Sequence, residues 1–202
     1  MTDPANRPKA LVGNPAPGFE AQGYFKGELK SFKLSDYKGK WVYLLFYPLD
    51  FTFVCPTEVL SFSKVAPEFG DKKCQVLGIS VDSQFTHKAW VETKKAEGGL
   101  GGVLNYPLLA DLNKEISNDY GLLTGPGVAL RGLFLIDPRG TVMHATINNL
   151  PVGRSAREAL RTLKAFQFVA ANEGQVCPAD WDEGQDTMGA SPEGMRDYLT
   201  KH

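Results

Sequence analysis

Trp41-Val-Tyr-Leu-Leu-Phe-Tyr47 is an unbroken apolar run bounded by Gly39 and Pro48, and Pro48-Leu-Asp-Phe-Thr52-Phe-Val-Cys55-Pro56-Thr-Glu58 follows it directly. The run predicts a strand buried on both faces, as at the centre of an α/β sheet. From Pro56 to Phe69 the apolar residues stand at 59, 62, 66 and 69, a helical spacing. Pro67 lies inside that pattern and should end or kink the helix near its last turn. Proline suits the first helical position, where its missing N–H costs nothing, so Cys55 falls at the N-cap or in the first turn.

Outward from this core, Gly23 to Leu29 suggests a hairpin within an otherwise irregular opening of about thirty residues. Cys74 to Val81 predicts a second apolar strand and Gln84 to Glu97 a second helix, ended by the break Gly98-Gly-Leu-Gly-Gly102. Pro107 to Ala110 reads as a short strand and Asn113 to Tyr120 as a short helix. Leu133 to Ile136 and Thr141 to Ile147 form an expected antiparallel pair across the turn Asp137-Pro-Arg-Gly140. Ser155 to Ala171 is the last long helix. Beyond it the chain turns polar, with a helix start at Ser191-Pro192-Glu193. Strand-helix alternation closing on an antiparallel pair predicts an α/β domain with a mixed sheet, over residues 1–171. Residues 172–202 read as an arm.

Composition narrows the function. Lys+Arg is 22 against Asp+Glu 23, a net charge of -1, which argues against a nucleic-acid partner. No apolar run approaches the ~20 residues of a membrane span, and the N-terminus has no signal-peptide pattern, so a cytoplasmic protein is expected. Three cysteines are too few for a disulfide scaffold and wrongly spaced for zinc. Gly125-Pro-Gly127 starts like a dinucleotide fingerprint but lacks its third glycine. No metal or other cofactor is expected.

The chemistry therefore rests on cysteine. A helix N-terminus favours a thiolate by about 0.3–1 kcal/mol, up to ~2 when partly buried. Lowering a thiol by two pKa units takes about 2.7 kcal/mol, so a cation must help. Arg131, polar at the head of the apolar stretch Arg131-Gly-Leu-Phe-Leu-Ile136, is one candidate, and Arg154 in Val152-Gly-Arg-Ser155 is a second. Thr52 could bring its hydroxyl to the sulfur, and Glu58, one turn on, could orient an arginine. Cys177 repeats the local word Val-Cys-Pro in the polar tail, where an exposed, mobile thiol could meet another sulfur. Cys74 opens a buried strand and reads as core, and His144 as an ordinary sheet residue. There is no C-x-x-C dithiol, no C-x5-R loop, and no histidine motif of a Cys-His protease.

The stretch Phe46-Tyr-Pro48-Leu-Asp-Phe-Thr52-Phe-Val-Cys55-Pro56-Thr-Glu58 resembles the active-site wording of the typical two-cysteine peroxiredoxins, and the resemblance runs from about Val12 to the C-terminus. It implies a thioredoxin-like fold with a mixed central sheet flanked by helices plus a C-terminal arm, and a thiol peroxidase acting on hydrogen peroxide and organic hydroperoxides. Cys55 would be the peroxidatic cysteine, Arg131 would polarise thiolate and peroxide, Thr52 would hydrogen-bond the peroxide and Pro48 would shield the pocket. Glu58 and Arg154 match supporting polar positions, and Cys177 matches the resolving cysteine of the partner subunit's arm. The implied partners are thioredoxin or a flavoprotein disulfide reductase, with a homodimer assembling into a decamer through the segment Ser83 to His87 and the pocket loop. Gly98-Gly-Leu-Gly101 and Tyr198 match elements that sensitise the family to overoxidation, although Leu199 stands where phenylalanine is usual. A holdase or redox-relay role on the same fold is the main alternative, and a disulfide isomerase is disfavoured by the missing C-x-x-C.

Overall fold

The computed structural model describes residues 12–202, so residues 1–11 of the expected irregular opening lie outside the described residues. The chain divides into two compact units, the first ending at Ser155 and the second spanning Ala156–His202.

The first unit opens with the hairpin β1 (Glu20–Phe25) and β2 (Glu28–Lys33). Its two-residue turn, Lys26-Gly27, has positive φ at both positions (50° and 88°), the geometry that matches strand twist. Next come β3 (Trp41–Phe46), α1 (Cys55–Asp71), β4 (Cys74–Ser80), α2 (Gln84–Glu92), β5 (Leu108–Ala110) and α3 (Glu115–Asp119). The hairpin β6 (Arg131–Ile136) and β7 (Val142–Asn148) completes the sheet.

The order across the seven-stranded sheet is β2-β1-β5-β4-β3-β6-β7. β3, β4 and β5 run parallel, and every other neighbouring pair is antiparallel. This mixed sheet with its helices is the thioredoxin-like fold. Every residue of β3 is buried, as an uninterrupted apolar run requires. Val42, Leu44 and Phe46 join Leu77, Ile79, Phe134 and Ile136 in one core cluster. On the other face Tyr43 meets Phe69 of α1 edge-on, with ring centroids 5.6 Å apart. Each such side chain contributes about 1.5–3 kcal/mol of burial, which fixes β3 at the centre and aims its C-terminal loop at the start of α1.

Two helices end elsewhere than the sequence suggested. Pro67, expected to end or kink α1 near its last turn, does not end it, and the helix continues to Asp71. A helical proline leaves the carbonyl four residues earlier without its donor. That carbonyl is Ser63 O, and Asn105 Nδ2 donates to it at 2.9 Å. The second helix stops at Glu92 rather than Glu97, leaving only a short 3-10 turn at Lys95–Glu97. The chain doubles back, so amides of Leu100 and Gly101 satisfy the carbonyls of Trp90 and Thr93, both at 2.9 Å. Only glycine fits at position 99, where a Cβ would lie 2.1 Å from Thr93 O.

The second unit contains α4 (Ala156–Ala171), the two-stranded pair β8 (Gln175–Val176) and β9 (Met188–Gly189), and α5 (Pro192–Lys201). Ser191 caps α5 by accepting from Gly194 N. The polar tail is thus more structured than composition suggested. Trp181, only 3% exposed, packs on Phe168 of α4, and Arg161 donates to its carbonyl at 2.6 Å. No described helix is long and apolar enough to cross a membrane.

Candidate active site

Val54 caps α1, Cys55 is its first residue and Pro56 the next, so the thiol stands where helix amides are unpaired. The Val54 carbonyl accepts from Thr57 N at 3.1 Å, Glu58 N at 3.3 Å and Thr57 Oγ1 at 2.6 Å, closing the first turn. Cys55 is fully buried.

The cation is Arg131. As the first residue of β6, it projects a guanidinium whose Nη1 lies 3.4 Å from Cys55 Sγ and 2.7 Å from Glu58 Oε2. Its Nε donates to Leu150 O at 2.6 Å. Arg154 approaches the same carboxylate: its backbone N and Nε each donate to Glu58 Oε1 at 2.7 Å, and Nη2 to Oε2 at 3.2 Å. Its Nη1 donates to Gly132 O. Burial lowers the Arg154 pKa, and the Glu58 carboxylate works against that shift. One buried carboxylate therefore organises two buried guanidiniums, an arrangement that tolerates burial because every charge is paired.

The loop from Pro48 to Val54 closes over this cluster. Pro48, Thr52, Phe53, Val54, Arg131, Leu150 and Pro151 line a cavity of about 320 Å³. The Thr52 hydroxyl lies on the cavity wall. It donates to Leu49 O at 2.8 Å, leaving its oxygen lone pairs as acceptors at the cavity. A separate cavity of about 390 Å³ between the β1–β2 turn, α2 and residues 102–106 contains none of these residues.

Sequence reasoning missed the anchor of this loop. Asp50 accepts from the Tyr47 hydroxyl at 2.8 Å and pairs with His87 Nδ1 at 2.7 Å, while His87 Nε2 meets Leu109 O at 3.1 Å. Burial raises the Asp50 pKa, with His87 as the main opposing influence. His87, Trp90 and Val91 share the buried face of α2, and a histidine in that company is the signal that could have exposed the pair.

The other thiols are quieter. Cys74 is buried, and its pKa is raised by desolvation, as a core residue's should be. Cys177 is half-buried rather than exposed, with Sγ 3.7 Å from Ala165 O. Burial raises its pKa, and Arg161 partly offsets the shift. His144 bonds Thr146 Oγ1 at 2.9 Å within β7. Tyr198 packs against His202 with the rings tilted and their centroids 4.4 Å apart, while Leu199 of α5 is 65% exposed. Among the described residues no cluster of three His, Cys, Asp or Glu could hold a metal ion.

Comparison with known proteins points the same way. Residues 12–145 match the AhpC/TSA family model, and residues 165–201 match the C-terminal domain of 1-Cys peroxiredoxin. Peroxiredoxin-2 of Bos taurus is 55% identical over 195 residues, covering 96% of this chain and 97% of that protein. The mitochondrial thioredoxin-dependent peroxide reductase of Homo sapiens is 52% identical, covering 92% of this chain and 72% of that protein. The reduced 2-Cys peroxiredoxin of Plasmodium vivax superposes with a TM-score of 0.91 at 43% identity, over 94% of this chain and 98% of that one. A helix-capped, arginine-paired cysteine on this sheet, with that likeness along nearly the whole chain, leaves one assignment: the chain belongs to the AhpC/TSA family, the peroxiredoxins.

Proposed function

We propose that this chain is a thiol peroxidase that reduces hydrogen peroxide and organic hydroperoxides at Cys55. The observation that carries the reading is the 3.4 Å approach to the Cys55 sulfur of Nη1 of Arg131, a residue that also lines the pocket. The sulfur attacks the terminal peroxide oxygen and the O–O bond breaks. The leaving oxygen departs as water or alcohol after taking up a proton, and Cys55 becomes a sulfenic acid. Arg131 and the unpaired amides of α1 stabilise charge developing on the oxygens, the Thr52 oxygen accepts from the peroxide O–H, and Pro48 shields the pocket. Glu58 and Arg154 hold Arg131 in register.

The sulfenic acid then condenses with Cys177 of a second copy, forming a disulfide and water. Because Cys55 is fully buried, the first turn of α1 must unwind for the sulfurs to meet. Residues 172–202 act as the arm that presents Cys177, and residues 1–171 as the peroxidase domain. Thioredoxin or a flavoprotein disulfide reductase resets the enzyme by exchange, a reading supported by relatives called thioredoxin-dependent peroxide reductase. A cytoplasmic location accords with cysteines kept reduced between turnovers.

A homodimer is supported by the edge strand β7, which ends the sheet and carries the half-exposed Ile147. A decamer is supported by Phe53, 93% exposed on the pocket loop, and Phe85, 64% exposed beside Thr86.

The test is non-reducing intact-mass analysis of pre-reduced protein after one equivalent of hydrogen peroxide, with Cys55→Ser and Cys177→Ser alongside. The expected result is a covalent dimer in the parent, none in Cys55→Ser, and a monomeric oxidised sulfur in Cys177→Ser. A parent left unoxidised would sink the peroxidase reading.

A further inference from the structure

Three hydrogen bonds fasten α1 to the loop before β5, all behind its first turn. The Tyr106 hydroxyl, on a residue only 1% exposed, donates to Val59 O at 2.9 Å. Asn105 Nδ2 donates to Ser63 O at 2.9 Å, and Asn105 N donates to Ser63 Oγ at 3.0 Å. Pro67 deprives the Ser63 carbonyl of the amide it would meet one turn on, and Asn105 Nδ2 donates to it in that amide's place. Burial raises the Tyr106 phenol well above its ordinary value of 10.0, so the hydroxyl remains a donor. The ring is tightly seated as well: a Cβ on Gly78 of β4 would lie 3.1 Å from Tyr106 Cε2. Ahead of these contacts, the first turn depends on the Val54 carbonyl and on the Glu58 carboxylate between its two arginines.

We infer that Asn105 and Tyr106 bolt α1 to the sheet one and two turns behind Cys55, and thereby limit how far the helix unwinds when the oxidised sulfur is presented. The inference rests on the peroxidase reading and deepens it. A sulfenic acid in the folded helix has two fates. It condenses with a thiol, forming an S–S bond and releasing water, once the turn has unwound. Alternatively it takes an oxygen from a second peroxide, releasing water and leaving a sulfinic acid, while still folded. A tight bolt keeps Cys55 in place longer and favours the second fate. A looser bolt favours the first.

Tyr106→Phe tests this, since it removes one hydroxyl and keeps the ring. Hydrogen exchange on the reduced full-length parent should give fast exchange through Glu58 and protection from Ser63 onward, and in the variant the fast zone should extend to Ser63. Disulfide formation after one equivalent of hydrogen peroxide should be about three- to tenfold faster in the variant, the scale of one hydrogen bond. Sulfinic acid at excess peroxide should fall in proportion, with the rate of first oxidation unchanged. Asn105→Ala should act in the same direction and covers the case in which Tyr106→Phe fails to fold. Unchanged exchange and unchanged partition in a variant that still oxidises at Cys55 would overturn the bolt. A parent that peroxide never oxidises would instead bring down the peroxidase reading, a result the exchange data cannot mimic.

Discussion

Arg131 Nη1 stands 3.4 Å from the Cys55 sulfur across 76 residues of sequence. The contact joins the start of β6 to the start of α1, and Glu58 sets it by drawing the same nitrogen to 2.7 Å. A guanidinium so held is both a cation beside the thiol and a preorganised donor for developing charge on a peroxide oxygen.

Arg131→Met is therefore expected to lower the second-order rate constant with hydrogen peroxide by about 10²–10³-fold, the usual cost of losing such a donor. Arg131→Lys should recover little, because one ammonium cannot serve Leu150 O, Glu58 and the sulfur together. Stopped-flow oxidation of reduced protein measures this, and a methionine variant within threefold of the parent would remove Arg131 from the chemistry.

Glu58→Gln should cost stability as well as rate. It leaves two buried guanidiniums without their shared countercharge, and breaking a buried pair costs about 3–5 kcal/mol. At roughly 2–4 °C per kcal/mol for a chain of this size, thermal unfolding at fixed protein concentration should fall by about 6–20 °C.

The tolerance of α1 for Pro67 should depend on Asn105. Asn105→Ala alone should destabilise by about 1–3 kcal/mol, since Ser63 O then loses the donor that stands in for the missing Pro67 amide. In a Pro67→Ala background the restored N–H can serve that carbonyl, and the cost should shrink. A double-mutant cycle by urea unfolding reads the coupling, and strict additivity would contradict the assignment.

Asp137 offers a pH test. Burial alone would raise its pKa, but bonds from Thr141 N, Arg139 Nε and Arg139 N bring it below the ordinary value of 3.8. A depressed carboxyl binds fewer protons folded than unfolded, so its stabilisation is present above 3.8 and disappears as pH falls through the folded value. The stability gap between parent and Asp137→Asn should be constant above about pH 5 and close as acid is added. Urea midpoints taken across that range would reveal a flat gap if the idea were wrong.

Local pattern in the sequence was enough for the strand, loop and helix around Cys55. An apolar run from Trp41 to Tyr47 has few other places in a fold, and a proline after a cysteine marks a helix start. The same reasoning found β4, the β6–β7 hairpin and Arg131 at its head, because each is written in neighbouring residues. The peroxiredoxin likeness lay in the words around Cys55 and Cys177.

Tertiary structure decided what depends on partners distant in sequence. Pro67 sits within a continuous helix because Asn105 replaces the lost donor, and α2 ends early because Leu100 and Gly101 return to its last carbonyls. His87 turns from an unremarkable helix residue into a buried partner of Asp50, and Cys177 from an exposed thiol into a half-buried one against Ala165. Leu150 offers Arg131 a backbone carbonyl that no residue pattern could announce. Periodicity reports which face of an element is apolar. Which buried polar group meets which depends on sheet register and loop closure, and those are fixed only when the whole chain has packed.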